Sequence, residues 1–488
     1  MTERALEVLA HAARPGAVLR YLGLLAASLA VMMAVPFVVA AVLGEARAGL
    51  PYLAMAAALG GAGALLARAR LPSTIQANEA LVVTALAFAL GAAALVWPFA
   101  AAGLAPVDAL FEATSAITTT GLSTVADIGA MPASFLFARA WAQWYGGLAI
   151  VVLAVALALV PGAVAKRIAF EGEAGDLLGG AHARARRLLG VYAVLTVAAA
   201  AALWLLGVPA FDAVTHALSA VSTGGFSTRA DSAAGLGGGA ARAALALACV
   251  AGAISFALQY RVWREGPGPL WRDREVRALA LVALAGFGAL VLVRIAAGAG
   301  ATLGGVGGAA FLALSAQTTA GFSTVPVAGL DGASKLVLMV QMAIGGDSGS
   351  TAGGIKIIRF LVALRLVQAL FARTCLPAHA VFEPHYAGRA LTPAEVQVIA
   401  GMVLLYLGVA LVSWLAFLLG GLAPLDSLFE VVSALGTVGL SAGVTGPDLA
   451  PALKLVLCAD MLMGRLELVA VLVLLYPRTW LGRRAERA

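Results

Sequence analysis

The sequence predicts an all-α polytopic membrane protein in which four helix, re-entrant loop, helix repeats stand in pseudo-fourfold arrangement beside an N-terminal helix pair. Three observations lead there. Hydrophobic residues make up 62% of 488 positions and charged residues 12%, with a mean hydropathy of +0.97, well outside the range of a soluble domain. Ten apolar runs approach or exceed the roughly 20 residues that a bilayer span needs. A nine-residue frame, Ser-Ala-x-x-Thr-x-Gly-[Leu/Phe]-Ser, occurs four times between paired runs, which marks an internal repeat.

The runs lie near 21–43, 50–67, 80–100, 136–160, 187–207, 240–262, 277–297, 335–371, 394–420 and 452–476. The first follows Arg4, Arg14 and Arg20 but exceeds the roughly 7 to 15 apolar residues of a signal peptide, so it reads as an uncleaved span. The last eight runs form pairs, each bracketing one copy of the frame: 115–123 (SAITTTGLS), 219–227 (SAVSTGGFS), 315–323 (SAQTTAGFS) and 433–441 (SALGTVGLS). The chain therefore divides into an N-terminal two-helix appendage (1–70) and repeats at 71–168, 169–270, 271–378 and 379–488, the last with a tail.

The net charge of +7 forms no basic patch between aromatics, which argues against a nucleic-acid partner. Basic residues cluster instead on the connections between repeats. They are Arg68, Arg70, Lys166, Arg167, Arg184, Arg186, Arg187, Arg261, Arg264, Arg272, Arg274, Arg277, Arg359, Arg365, Arg373 and Arg389, with Arg478, Arg483, Arg484 and Arg487 in the tail. The positive-inside rule makes that side, and both termini, cytoplasmic. All four loops then enter from outside, and the repeats run the same way about an axis along the membrane normal. Cys249, Cys375 and Cys458 show no metal spacing and read as small buried hydrophobes.

A short helical stretch precedes each loop, with Pro106 and Asp108, Pro209 and Asp212, or Pro424 and Asp426 at its start; proline and an acid suit a first turn. The third repeat has Gly304, Gly305, Gly307 and Gly308 there instead. Too short to span, each stretch must return as non-helical backbone, which survives at membrane depth only inside protein or along a polar cavity. The returning residues are Thr118, Thr119, Thr120 and Gly121; Ser222, Thr223, Gly224 and Gly225; Thr318, Thr319, Ala320 and Gly321; and Gly436, Thr437, Val438 and Gly439. None is charged. Extended backbone with a glycine at positive φ turns carbonyls inward, and four such segments make rings that replace the water shell of a monovalent cation. Glu112 and Glu430, up the short helices, and Asp127 and Asp231, outside them, read as helix-end and surface solvation.

On these loops, and on Gln143-Trp144-Tyr145-Gly146-Gly147 in the second span of repeat one, the sequence resembles the Trk/Ktr/HKT superfamily of potassium-uptake proteins, and its extra helix pair resembles the TrkH/TrkG branch. The resemblance implies a potassium filter at the four loops, with K+ as transported ion and no organic cofactor. Gly121, Gly225, Gly321 and Gly439 match the family's key glycines. It further implies the cytoplasmic membrane of a prokaryote, surrounding lipid, a homodimer, and a separate cytosolic TrkA-like nucleotide-binding subunit.

The run 335–371 is interrupted by Gly345, Gly346, Asp347, Ser348, Gly349, Ser350, Thr351, Ala352, Gly353 and Gly354, with Lys356 following Ile355. Glycine this dense cannot sustain a helix, so a mobile constriction is expected below the filter; in the family this element resembles an intramembrane gating loop. Arg465 lies within the last apolar run, where a charge is costly and by default functional. The family's corresponding arginine projects beneath the filter, and the alternative is a salt bridge to Asp460 or Glu467. Asp347 is a further candidate partner in a closed state. The segment's echoes of a serine-protease loop and a phosphate-binding loop lack the partners either chemistry needs: His11, His182, His216, His379 and His385 form no triad motif, and Lys356 is followed by no Ser or Thr. Three rivals compete. An alternating-access transporter requires inverted repeats, an intramembrane enzyme requires facing catalytic side chains, and a sodium or non-selective channel or symporter shares the architecture.

Overall fold

The computed structural model describes residues 12–66, 68, 75–158, 181–296, 298, 303–375, 385–386 and 389–481. Arg4, Arg70, Lys166, Arg167, Arg483, Arg484 and Arg487, His11 and His379 lie outside them. Among the described residues, seven helices are long and apolar enough to cross a membrane: Pro15–Val42, Ala46–Leu66, Ala77–Ala101, Ala133–Ala158, Ala181–Leu205, Arg274–Ala296 and Pro393–Leu419. A two-residue hairpin, with His385 opposite Ala390 and Tyr386 opposite Arg389, is the only strand pairing described.

The three remaining apolar runs are all broken, although sequence pointed to a break only at 335–371. In unit two, Gly239–Ala253 is followed by Phe256–Glu265 at a bend of 102°. Unit three has Gly332–Ile344 and then Ile357–Thr374. In unit four, Pro451–Arg465 is separated from Val469–Leu475 by Leu466, Glu467 and Leu468, the last two at positive φ (59° and 61°). These runs are the outgoing helices of their units. Among the described residues, only unit one sends out an unbroken one, Ala133–Ala158.

Four short helices sit between the long ones: Pro106–Ile117, Ala210–Val221, Leu303–Gln317 and Pro424–Leu435. At 1.5 Å per residue, a helix of about 12 residues reaches about 18 Å, roughly half way across the hydrocarbon core. First-turn acids stand where expected in three of them, but two reach a neighbouring unit. Lys454 Nζ lies 2.6 Å from Asp108 Oδ1, joining unit four to unit one. Lys335 Nζ lies 2.7 Å from Asp426 Oδ1, joining unit three to unit four. Asp212 instead holds Arg229 of its own unit at 2.6 Å.

The N-terminal pair packs on unit one. Glu45, in the turn between its helices, accepts the N–H groups of Ala133 (3.0 Å) and Ser134 (2.8 Å) at the start of the outgoing helix. Burial opposes the Glu45 charge, but these bonds and the Ser134 hydroxyl outweigh it and hold the carboxyl below its ordinary range. Trp141 donates to the Met32 carbonyl (2.9 Å) and Tyr145 meets Ser28 (2.6 Å). Cys249 and Cys458 are buried, whereas Cys375 is exposed; it lies in the turn after helix Ile357–Thr374, outside the packed helices.

Candidate functional site

The repeated frame encodes a helix ending. In each copy the first two residues present carbonyls to the turn, and the N–H groups of the fifth and sixth residues close on them. Thr119 donates to Ala116 (3.1 Å) and Thr120 to Ser115 (2.9 Å); Thr223 to Ala220 (3.0 Å) and Gly224 to Ser219 (2.8 Å). The third and fourth copies repeat this with Thr319 and Ala320, and with Thr437 and Val438. This double closure is the Schellman ending, which needs a left-handed residue after the cap. Glycine normally fills that place. Here threonine does, with φ of 56°, 52°, 54° and 48° at Thr119, Thr223, Thr319 and Thr437, a conformation that costs a β-branched residue on the order of 1–3 kcal/mol. The sequence signal was the same threonine recurring in every copy, while the expectation of positive φ had gone to the glycines alone.

Those glycines are also left-handed, with φ of 91°, 80°, 73° and 92° at Gly121, Gly225, Gly321 and Gly439. Their surroundings close a ring. A Cβ on Gly121 would collide with the carbonyl oxygen of Gly224, on Gly225 with that of Ala320, on Gly321 with that of Val438, and on Gly439 with that of Thr120. The contacts run from loop one to two, two to three, three to four, and back to one. A cavity of about 330 Å³ opens above the ring, lined by all four glycines and by Ser123, Ser227, Ser323 and Ser441, the last residues of the four frames. Inverted repeats would not close in this cyclic order.

Side chains from behind brace the loops, and several were missed or misjudged from sequence. Glu112 and Glu430 are wholly buried rather than surface-solvated. Glu112 accepts the Ser123 hydroxyl (2.6 Å) and the Thr124 N–H (2.7 Å), and Glu430 accepts Ser441 (2.6 Å) and Thr445 (2.6 Å). His216, at the matching position of unit two, meets Ser227 at 2.9 Å. Arg139, also buried, pairs with Glu112 (2.9 Å), donates to Ser123 (3.0 Å) and lies 3.7 Å over the Phe226 ring. Gln143 spans two units: it accepts from Ser219 (2.6 Å) and donates to the Gly224 carbonyl (2.5 Å). Removing one partner of a buried pair strands the other, so Arg139→Ala is expected to cost about 3–5 kcal/mol. A detergent melt should show a lowered midpoint that Arg139→Lys partly restores; an unchanged midpoint refutes the bracing role.

The outgoing helices press against the ends of the short helices at glycines. A Cβ on Gly146, Gly252 or Gly464 would overlap the carbonyl of Ile117, Val221 or Leu435, the last residue of the short helix in its own unit. In unit three Gln317 Nε2 donates to the Gly345 carbonyl (2.7 Å) at the corresponding level, and there the helix stops.

The broken segment of unit three then runs beneath the ring. Thr351 Oγ1 lies 2.8 Å from the Gly252 carbonyl and 3.0 Å from that of Val221. Gly353 donates to Thr319 Oγ1 (2.8 Å), and its Cα faces the Gly436 carbonyl of loop four closely enough to exclude a Cβ. Ala352 is 1% exposed, and its carbonyl accepts from Lys356 Nζ. Gly346 accepts from Ile357 N–H (3.0 Å) and Gly349 from Phe256 N–H (3.4 Å); Ser350 Oγ returns to the Asp347 carbonyl (2.6 Å). Gly345, Gly349 and Gly354 take positive φ, as does Lys356.

Arg465 reaches this segment through backbone oxygens. Its guanidinium donates to the Thr351 carbonyl at 2.6 Å and to the Gly146 carbonyl at 3.4 Å. Neither sequence candidate for a salt bridge pairs with it: Asp460 accepts from Ser413 (2.7 Å), and Glu467 holds Arg359 (2.6 Å). Asp347 is also engaged elsewhere, accepting the Ser255 N–H at 2.9 Å.

The model of the family described as TrkH, cation transport protein, matches residues 55–479. The Trk system potassium uptake protein TrkH of Salmonella typhimurium is 33% identical over 76% of this chain and 79% of its own length. The protein of the same name from Vibrio parahaemolyticus is 30% identical over 95% of this chain and 99% of its own. The crystal structure of the potassium transporter TrkH from Vibrio parahaemolyticus superimposes with a TM-score of 0.87 at 29% identity, covering 95% of this chain and 99% of that one. The chain belongs to the TrkH family of cation transport proteins, as a polytopic all-helical membrane transporter and not an enzyme.

Proposed function

We propose that the chain takes up potassium across the cytoplasmic membrane by passive conduction through the ring of four loops. Residues 118–121, 222–225, 318–321 and 436–439 form the selectivity filter, and the segment 345–356 with Arg465 forms the gate below it. The observation that carries this reading is the cyclic closure, in which every filter glycine abuts a carbonyl of the next loop. The buried hydroxyls of Thr119 and Thr437 have no hydrogen-bond partner among the described residues, so they are available as oxygen ligands at the base of the filter. The similarity to the potassium uptake proteins of Salmonella and Vibrio supports potassium as the ion. The gate reading is supported by the segment's bonds to units two and three directly under the loops, with a buried cation fixed to it.

In this reading the units divide at 70, 168, 270 and 378, the loops face outside, and both termini face the cytoplasm. A TrkA-like nucleotide-binding ring docks on the basic face, and two chains form the dimer. The two loops with Gly224-Gly225 and Ala320-Gly321 make the filter asymmetric.

Expression in a host lacking potassium uptake tests the proposal. Growth at low potassium should be restored, with rubidium tracer entering at least about tenfold faster than sodium. Faster sodium entry would favour the sodium-selective rival, and no cation flux from folded protein would overturn conduction.

A further inference from the structure

A groove of about 360 Å³ lies between the start of helix Arg274–Ala296 and the middle of helix Ile357–Thr374, both of unit three. Arg274, Arg277 and Leu281 line one wall at i, i+3 and i+7, and Leu361, Leu364 and Arg365 line the other at i, i+3 and i+4. Each helix thus turns one face to the groove. Three arginines line it, and among the described residues none of their guanidiniums pairs with a carboxylate. Arg277 donates to the backbone carbonyls of Asp273 (3.2 Å) and Arg272 (3.1 Å), and Arg365 to Gln368 Oε1 (2.8 Å). The nearby acids are turned to other tasks. Asp273 caps the N–H groups of Glu275 and Val276, and Glu275 Oε2 accepts the Ser348 N–H (3.1 Å).

We propose that this groove binds an anionic phospholipid, its phosphate held by Arg274, Arg277 and Arg365 and an acyl chain lying along Leu281, Leu361 and Leu364. Planar guanidinium forks match phosphate oxygens in pairs. The leucines argue for a lipid over a soluble anion, because Leu281 and Leu364 stay 67% and 43% exposed beside the charges, an apolar wall continuing from a basic mouth. The site joins two helices that flank the broken segment: Glu275, on the first, holds Ser348, and the second begins at Ile357, just after Lys356. A bound lipid would clamp them together and restrain the segment between. The assignment rests on the orientation proposed above only for the leaflet, which is the cytoplasmic one.

Native mass spectrometry of the full-length protein in detergent with mixed phosphatidylglycerol and phosphatidylcholine tests it. The unaltered chain should retain phosphatidylglycerol in preference. Arg274→Gln, Arg277→Gln and Arg365→Gln together should weaken that retention about a hundredfold, and the corresponding triple lysine variant should keep it within about tenfold of the unaltered chain. Raising salt from about 0.1 to 1 M should erode the preference. Equal retention of both lipids by the unaltered chain, a preference indifferent to salt, or a folded glutamine variant that retains phosphatidylglycerol undiminished would each overturn the proposal. Displacement of the lipid by millimolar inorganic phosphate would reassign the site to a soluble anion and overturn it too. Should the glutamine variant not fold, the two arms on the unaltered chain decide. No arm measures ion flux, so a failed lipid site and a failed conduction reading remain separable.

Discussion

Gly321→Ala is expected to lower rubidium influx by about a hundredfold or more while the amount of folded protein in the membrane stays within about twofold. The residue takes φ of 73°, and the added methyl would meet the Val438 carbonyl oxygen of the adjoining loop. The left-handed backbone costs an L-residue about 1–2 kcal/mol, and overpacking at a tight contact about 1–3 kcal/mol more. Relief comes by moving the Val438 carbonyl, one of the oxygens proposed to coordinate the ion. About 2.7 kcal/mol of lost stabilisation at the barrier is a hundredfold in rate. Gly288→Ala, in helix Arg274–Ala296 with nothing within 4 Å of its Cβ position, is the matched control and should be silent. Undiminished flux in the first variant, or an equal loss in the control, would refute the ring as the conducting element.

Arg465→Ala is expected to act in the opposite direction, raising flux about thirtyfold. At an effective dielectric of about 20, a fixed charge about 8 Å from a passing cation adds about 2 kcal/mol to its barrier, and removing it returns that factor. The same substitution frees the Thr351 carbonyl from its 2.6 Å bond. Arg465→Gln separates the two effects, because it keeps a donor and loses the charge. Equal gains in both variants assign the barrier to charge, whereas a gain with alanine alone assigns it to release of the segment. Flux unchanged in both, with protein intact, removes Arg465 from the gate.

What could be read from the sequence was what repeats or what is locally extreme. The frame at 115–123, 219–227, 315–323 and 433–441 located all four loops, because one backbone ending demands the same small residues each time. The glycines at 345–354 located the break in unit three, because no helix sustains them. The breaks in units two and four were hidden, since the single polar residues Ser255 and Glu467, flanked by Ile254, Leu466 and Leu468, do not end an apolar run, and a bend needs no change in mean hydropathy. Glu112 and Glu430 were judged by their charge, but what stabilises them is a set of donors 11 to 15 residues further on. Arg465 was rightly singled out as a buried cation, yet its partners are main-chain oxygens 114 and 319 positions away, and no side-chain pattern encodes such acceptors. The lysine links to Asp108 and Asp426 were invisible for the same reason: they are made between units.

The closed circuit of glycine-to-carbonyl contacts has a consequence for how such a protein can vary. In an assembly of four identical chains, one codon change alters every quadrant at once, and the ion meets four copies of any defect or improvement. Here the quadrants are separately encoded, so a substitution changes one in four oxygens of a layer and leaves three as reference. If the ring coordinates the ion as proposed, affinity for it can therefore drift in quarter steps. Each quadrant also leans on one neighbour through its glycine and supports the other through its carbonyl, so a change should be felt unequally on its two sides. Paired substitutions in adjoining quadrants, taken clockwise and counter-clockwise, give that inequality as the difference between two coupling energies.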